Sequence, residues 1–322
     1  MSLTMSESHA LFLRMLDGAM SDEEIGALLL DMTERGETTE EIAGAAQAMR
    51  DTMVTVKAPA NAIDVCGTGG DGQHSLNIST AVAIVVGACE VPVAKHGNRA
   101  ASSKAGAADT LEALGLDLDA AARVAEKTLD EIGIAFLFAQ TYHPALRHLA
   151  AIRKALGRRT IFNLIGPIAN PARVQRQLIG IARPDYVPIY RDAMQLLGMD
   201  KVMIVSGLEG LDELSIAGPS RVATLGIEGI GEEITPEDAG LPRHPLKSLQ
   251  GGDPAYNAAA LARLLAGEEG PYRDAVLLNA AAALIVAGEV TSLRDGVEEA
   301  AEAIDKGLAK ALLDCWIAAS KA

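Results

Sequence analysis

The sequence is poor in aromatic side chains: Phe, Tyr and Trp together make up 3% of its 322 residues. A core built from it must therefore interlock Ala, Val, Ile, Leu and Met, and hydrophobic residues are plentiful enough for that at 49%. Such side chains suit helices packed on a sheet. Cysteine is scarce too. Cys66, Cys89 and Cys315 are odd in number and far apart, which argues against a disulfide framework and for a reducing, cytoplasmic setting. Positive charge is in deficit, with 28 basic residues against 43 acidic ones and a net charge of −15. A duplex-binding surface needs a basic footprint to displace counterions, so no nucleic-acid partner is expected. Long hydrophobic runs are missing, and no basic segment followed by an apolar one opens the chain. Neither a membrane nor a secretory route is expected. An anionic small molecule remains an admissible ligand if basic residues gather around it.

The length exceeds that of a usual single core, so two domains are the prior. Ser21-Asp-Glu-Glu24 and Thr38-Thr-Glu-Glu41 fit the capping box, in which paired side chains satisfy the free N–H groups of a first helical turn. Apolar residues at helical spacing follow each box: Ile25, Leu28, Leu29 and Met32, then Ile42, Ala45, Ala46 and Met49. The first 55 residues thus read as a small helical bundle, and its apolar face as a candidate dimer surface. From residue 61 short apolar runs alternate with helical segments. Strands are expected at 62–66, 91–94, 134–138, 177–182 and 201–206, helices at 81–88, 106–115, 119–131, 144–156 and 185–197, and helices again over 254–320. Alternation of this kind predicts a mainly parallel sheet covered by helices.

Gly67-Thr-Gly-Gly-Asp-Gly72 follows a strand and precedes a helix, so its backbone N–H groups can cradle an anion. The same residues match the dinucleotide fingerprint, but Gln73 to Ile78 intervene before the apolar helix. The acid that should end the second strand about 20 residues on is replaced by Lys95-His96. A purely structural turn is the bland alternative. Asn77-Ile-Ser-Thr80 supplies polar groups at a helix start, where negative charge is favoured. Lys95-His-Gly-Asn-Arg99 and Ser102-Ser103-Lys104 crowd cations and hydroxyls after a strand, with no carboxylate from Val91 to Ala108. Asp212-Glu213 follows the strand 201–206, as oxygen ligands for magnesium would. His143 and Arg153 carry no signal by themselves.

In this order, with His143-Pro144, Phe162-Asn-Leu-Ile-Gly-Pro167 and Asn170-Pro171, these segments resemble the anthranilate phosphoribosyltransferase family over nearly the whole chain. The resemblance implies transfer of the 5-phosphoribosyl group of phosphoribosyl pyrophosphate (PRPP) to anthranilate, with Mg2+, in tryptophan biosynthesis. It implies an α/β fold in two parts. Residues 1–60 with about 155–180 would form a helical domain that makes a homodimer, and 61–154 with 181–322 a PRPP-binding α/β domain. PRPP would be held by Gly67, Gly70, Asp71, Ser75, Asn77, Ile78, Ser79 and Thr80. Lys95, His96, Gly97, Asn98, Arg99, Ala100, Ala101, Ser102 and Ser103 would complete its site, with Ala107 where many members carry a serine. Anthranilate would meet Gly67, Asn98 and Arg153, and the metal Ser79, Asp212 and Glu213, while His96 is a candidate for proton handling. Two rivals share the fold: a pyrimidine nucleoside phosphorylase-like enzyme, and a non-catalytic nucleic-acid-binding relative.

Overall fold

The structure is a computed structural model that describes residues 2–100 and 103–321. Its N-terminal layer comprises α1 (Met5–Leu16), α2 (Asp22–Arg35) and α3 (Thr39–Thr52), the last two opened by the expected capping boxes. A third box, Thr4 with Glu7, opens α1. The chain then alternates through β1 (Ile63–Gly67), α4 (Ile78–Ala88), β2 (Val93–Gly97), α5 (Ala107–Ala113), α6 (Leu118–Arg123), α7 (Ala125–Glu131) and β3 (Ile134–Phe138). The short helices α8 (Ala139–Tyr142), α9 (Leu149–Leu156) and α10 (Ile161–Ile165) precede β4 (Arg176–Gly180), α11 (Val187–Leu196) and β5 (Lys201–Gly207). Strands β6 (Ser220–Leu225) and β7 (Glu233–Ile234) lead to α12 (Pro254–Leu265), α13 (Pro271–Ala287), α14 (Leu293–Asp305) and α15 (Leu308–Ala319).

The seven strands lie in the order β3-β2-β1-β4-β5-β6-β7. The first five are parallel, and β6 and β7 add antiparallel pairs at one edge. Side chains alternate across the sheet with a period of two. Leu178, Met203 and Val205 join the core under α4, α13, α14 and α15. Ile179, Val202 and Ile204 point the other way, into a core shared with α11 and the N-terminal helices through Phe12, Met32, Ile42 and Tyr190. Each large aliphatic side chain so buried contributes roughly 1.5–3 kcal/mol.

Two boundaries differ from expectation. Pro92 has no N–H to give to a ladder, so β2 begins at Val93 and continues through Lys95 and His96, which pair with Phe136 and Leu137. Lys95 and His96, expected after the strand, are therefore strand residues. The contribution of 155–180 to the helical layer also ends early: α10 packs on α2 and α3, but Arg176–Gly180 is a strand in mid-sheet. The strand expected at 177–182 thus lies inside the range that the resemblance gave to the helical part.

Candidate active site

From β1 the chain winds to β2 and β3 on one side and then returns to β4 on the other, so the strand order reverses between β1 and β4. Ligands of open α/β sheets bind outside the carboxyl ends of the strands at such a point. Gly67 and Gly180 are register partners there, the last residues of their strands. Both must be glycine for reasons of space: a Cβ on Gly180 would overlap the Asp212 carbonyl, and one on Gly67 its carboxylate. The missing side chains let Asp212 lie across the strand ends. Asn279 of α13 clamps the same segment, accepting from Leu214 N–H at 2.9 Å and donating to its carbonyl at 3.0 Å.

The β1–α4 loop carries the next layer. Gly69, Gly70 and Gly72 have φ of 68°, 68° and 76°, in the left-handed region that glycine adopts without strain. Gly69 N–H donates to Asp212 Oδ2 at 2.7 Å. Asp71 Oδ1 accepts from Gln73 N–H at 3.1 Å, whereas Asp71 Oδ2 is buried without a partner. Burial, and then Asp71 beside it, push the Asp212 carboxyl up to about 7. Burial followed by the Asp212 charge raises Glu213 well above the carboxylate range, and Lys95 opposes this. Glu213 Oε1 accepts from Ser79 N–H at 3.1 Å in the first turn of α4. Lys95, only 2% exposed, donates to the Val65 carbonyl at 2.7 Å and the Ser79 hydroxyl at 3.2 Å. Backbone donors and three carboxylates thus converge with one buried ammonium among them.

A distant segment closes this loop. Ser75 forms a β-bridge with Gln250, and Leu76 N–H donates to the Leu249 carbonyl at 2.8 Å. Asn77 Oδ1 accepts from Thr110 at 2.6 Å and Asn257 at 2.9 Å, and its carbonyl accepts from the Tyr272 hydroxyl at 3.0 Å. Asn77 and Ser75 are accordingly braces of the loop, and the side chain of Asn77 is committed inside the protein. Ile78 is buried, so only its backbone is available, and the Thr80 hydroxyl is buried without a partner.

In the β2–α5 segment the expected cation already has local partners. The Arg99 guanidinium turns to Asp109 at 2.8 Å and to Glu112 at 2.5 and 2.9 Å, and lies 5.5 Å from the Phe138 ring centroid. The carboxylates that neutralise it start one residue beyond the acid-free window. Asp109 also accepts from Ala100 N–H at 3.0 Å and Gly106 N–H at 2.9 Å, pinning the segment just before Ala107 opens α5. Asn98 Oδ1 accepts from Arg99 N–H at 2.8 Å, next to Gly97 at the strand end, and Ser103 Oγ donates to the Ala105 carbonyl at 3.4 Å. The expectations for Ala101 and Ser102 lie outside the described residues.

His96 is 5% exposed, and burial followed by the neighbouring His143 pushes it down to about 3. Its Nδ1 lies 3.1 Å from the Gly166 carbonyl, which can only accept, so this nitrogen is assigned the proton. Nε2 is buried without a partner. A buried imidazole so depressed is a poor base, which weighs against a part for His96 in proton handling. It instead fixes the end of α10 against β2, with the His143 ring at 5.2 Å. His143 is itself pushed down to about 4 by burial. Arg153, in the last turn of α9, places its guanidinium 5.3 Å from the Phe162 ring centroid in α10. Burial lowers its pKa, and it forms no ion pair with a carboxylate among the described residues. Signals for Gly180, Asn257, Tyr272 and Asn279 were lacking in the sequence, because each acts on a segment far away along the chain.

Comparison with known proteins agrees with this layout. Residues 59–310 match the model of the glycosyl transferase family a/b domain, and residues 1–53 that family's helical bundle domain. The chain is 64% identical to the anthranilate phosphoribosyltransferase of Novosphingobium aromaticivorans, with 98% of this chain and 96% of the relative covered. It is likewise 64% identical to that of Sphingopyxis alaskensis, with 97% and 94% covered. The crystal structure of the Thermus thermophilus anthranilate phosphoribosyltransferase superposes with a TM-score of 0.95 at 42% identity, covering 100% of this chain and 97% of that one. The Saccharomyces cerevisiae enzyme in complex with PRPP and Mg gives 0.89 at 29% identity, with 99% and 94% covered. A fold whose strand ends carry this glycine loop and carboxylate pair, with relatives this similar over nearly full length, places the chain in the anthranilate phosphoribosyltransferase family.

Proposed function

We propose that this chain transfers the 5-phosphoribosyl group of PRPP to the amine of anthranilate, releasing pyrophosphate, in tryptophan biosynthesis, with Mg2+ and the residues described above. One observation carries the assignment of the site. Asp71, Asp212 and Glu213 are crowded beside an anion-cradling loop, two of them with raised pKa values and the third with an orphaned buried oxygen. Such a group of carboxylates calls for a cation. Among the described residues no ready cage of three metal-ligating side chains is present. Magnesium ordinarily uses one or two carboxylates together with substrate phosphates and water, so this donor set fits it. Asp212, Glu213 and the Ser79 hydroxyl would hold it. When bound, it neutralises charge that develops on the leaving diphosphate.

The remaining chemistry belongs to the chain. N–H groups of the β1–α4 loop and of the first turn of α4 donate to phosphate oxygens, aided by the dipole of an eleven-residue helix. Lys95 holds the Ser79 hydroxyl toward that site and supplies the local positive charge. Arg153, unpaired and half-buried, suits a carboxylate acceptor through a two-pronged contact. The weakly basic aromatic amine is a ready nucleophile, and holding it in line replaces activation by a strong base. Half-buried Leu11 on α1 and Leu30 on α2, which do not join the core of the helical layer, support a homodimer through that layer. No helix among the described residues is long and apolar enough to cross a membrane, and a cytoplasmic location follows from the biosynthetic role.

Mixing the protein with PRPP, anthranilate and Mg2+ should extinguish anthranilate fluorescence, and chelation should preserve it. Phosphorolysis of thymidine or uridine instead would favour the phosphorylase reading. Arg153→Ala should raise the KM for anthranilate by roughly 10- to 100-fold, as expected for a lost charge-assisted pair, with the KM for PRPP nearly unchanged. Equal rises in both would misplace the acceptor.

A further inference from the structure

Arg159 has no part in the resemblance that identified the site, yet it stands on the glycine loop. Its guanidinium donates to the Gly69 carbonyl at 3.0 Å. The same residue's N–H goes to Asp212, so Gly69 is fixed from both sides, by a cation outside and a carboxylate within. Gly70 makes room for this contact, since a Cβ there would overlap the Arg159 guanidinium. Its φ of 68° would by itself admit Asn or Asp, so the approach of Arg159 is an additional reason for glycine.

The base of Arg159 is anchored elsewhere. Gly157 ends α9 in the left-handed conformation, and Thr160 precedes α10. Between them, the Arg159 carbonyl lies 3.3 Å from the Thr33 hydroxyl of α2, which shares its proton with the Leu29 carbonyl at 2.8 Å, and Arg158 reaches Glu34 at 3.4 Å. A four-residue link thus touches the helical layer at one end and the donor loop at the other, between the helices carrying Arg153 and Phe162. Among the described residues Arg159 forms no ion pair with a carboxylate, so its charge remains directed at the loop.

We propose that Arg159 is a positioning residue for donor binding: it holds the Gly69–Gly70 turn in its anion-accepting shape and ties that turn to α2 through Thr33. The inference rests on the PRPP reading of the β1–α4 loop. Without the guanidinium, the Gly69 carbonyl is released and only the Asp212 contact to its N–H is left to order the two successive left-handed glycines before the donor arrives. The cost falls on donor binding and spares the acceptor.

The test is steady-state kinetics of the full-length protein with Mg2+, varying each substrate in turn, alongside thermal unfolding. Arg159→Gln should raise the KM for PRPP about tenfold, the effect of losing one hydrogen bond from a charged group. The KM for anthranilate should stay within about twofold and the melting temperature unchanged, with Arg159→Lys intermediate. Gly70→Ala should displace the guanidinium and mimic the loss. If Arg159 acts through the turn, the double variant is no worse than Gly70→Ala alone. Additive penalties would overturn positioning in favour of an independent contact, and an unchanged KM for PRPP, or equal rises for both substrates, would overturn the inference outright. Absence of turnover in the unsubstituted protein would instead sink the PRPP reading, so the two failures are distinguishable.

Discussion

The β1–α4 loop and the β2–α5 segment both read as phosphate-binding from sequence, and the structure separates them. The β1–α4 loop holds exposed N–H groups, an orphaned carboxylate oxygen and two acids pushed out of their ordinary range. The β2–α5 segment has more cations by count, but Arg99 is neutralised by Asp109 and Glu112, and Lys95 is sunk among β1, β2 and α4. Formal charge counted along a chain overstates charge delivered to a site. What an anion meets is backbone geometry plus the few cations with no local partner.

The sharpest way to break that contrast is to remove the acids. Asp212→Asn with Glu213→Gln should abolish turnover, a loss of roughly 1,000-fold or more for a mechanism resting on electrostatic stabilisation of the leaving group. The fold should survive, as read by circular dichroism. Near-full activity would move the metal elsewhere.

A smaller effect should appear in stability against pH without metal. Asp212 is raised from 3.8 to about 7 on folding, so the folded state holds this proton more tightly. Its contribution is full below about pH 4 and is lost as pH rises through 7. His96 and His143 act oppositely. They are depressed from 6.5 to about 3 and about 4, so their contribution is present above 6.5 and is lost as pH falls toward 4. The melting temperature should therefore peak near the upper end of the shared window, about pH 6.5, and Asp212→Asn should steepen the rise below the peak and weaken the fall above it, leaving the alkaline loss due to Glu213, which is also raised. A profile unchanged by that substitution would mean that Asp212 is not the group responsible.

The smallest effect is expected at Arg99. Arg99→Ala should change the KM for PRPP by less than about threefold and stability by no more than ~1 kcal/mol, since the pair is 42% exposed on the arginine side. A tenfold rise in KM for PRPP alone would restore the segment to equal standing with the glycine loop.

Much of the architecture was legible because its signals are local. Ser21 with Glu24 and Thr38 with Glu41 lie three residues apart and satisfy each other wherever the rest of the chain goes. The strands around 63–66 and 201–206 announce themselves as apolar runs. Local reading failed where a distant partner decides. Lys95 and His96 resemble loop residues until the Val65 carbonyl, Ser79 and Gly166 are seen to satisfy them inside a strand. Gly180 is an ordinary glycine until Asp212 crosses it. Asn279 gives no sign in the sequence that it will grip Leu214, 65 residues away.

The brace around Ser75 and Asn77 also sets a timetable. Its partners Gln250, Asn257 and Tyr272 are made about 170 to 200 residues after the loop they close, and contacts of such long range form late and slowly. A nascent chain emerging N-terminus first has its glycine loop in the open long before anything can shut it. A chain that stops short of Tyr272 therefore carries the glycine loop without its complete brace.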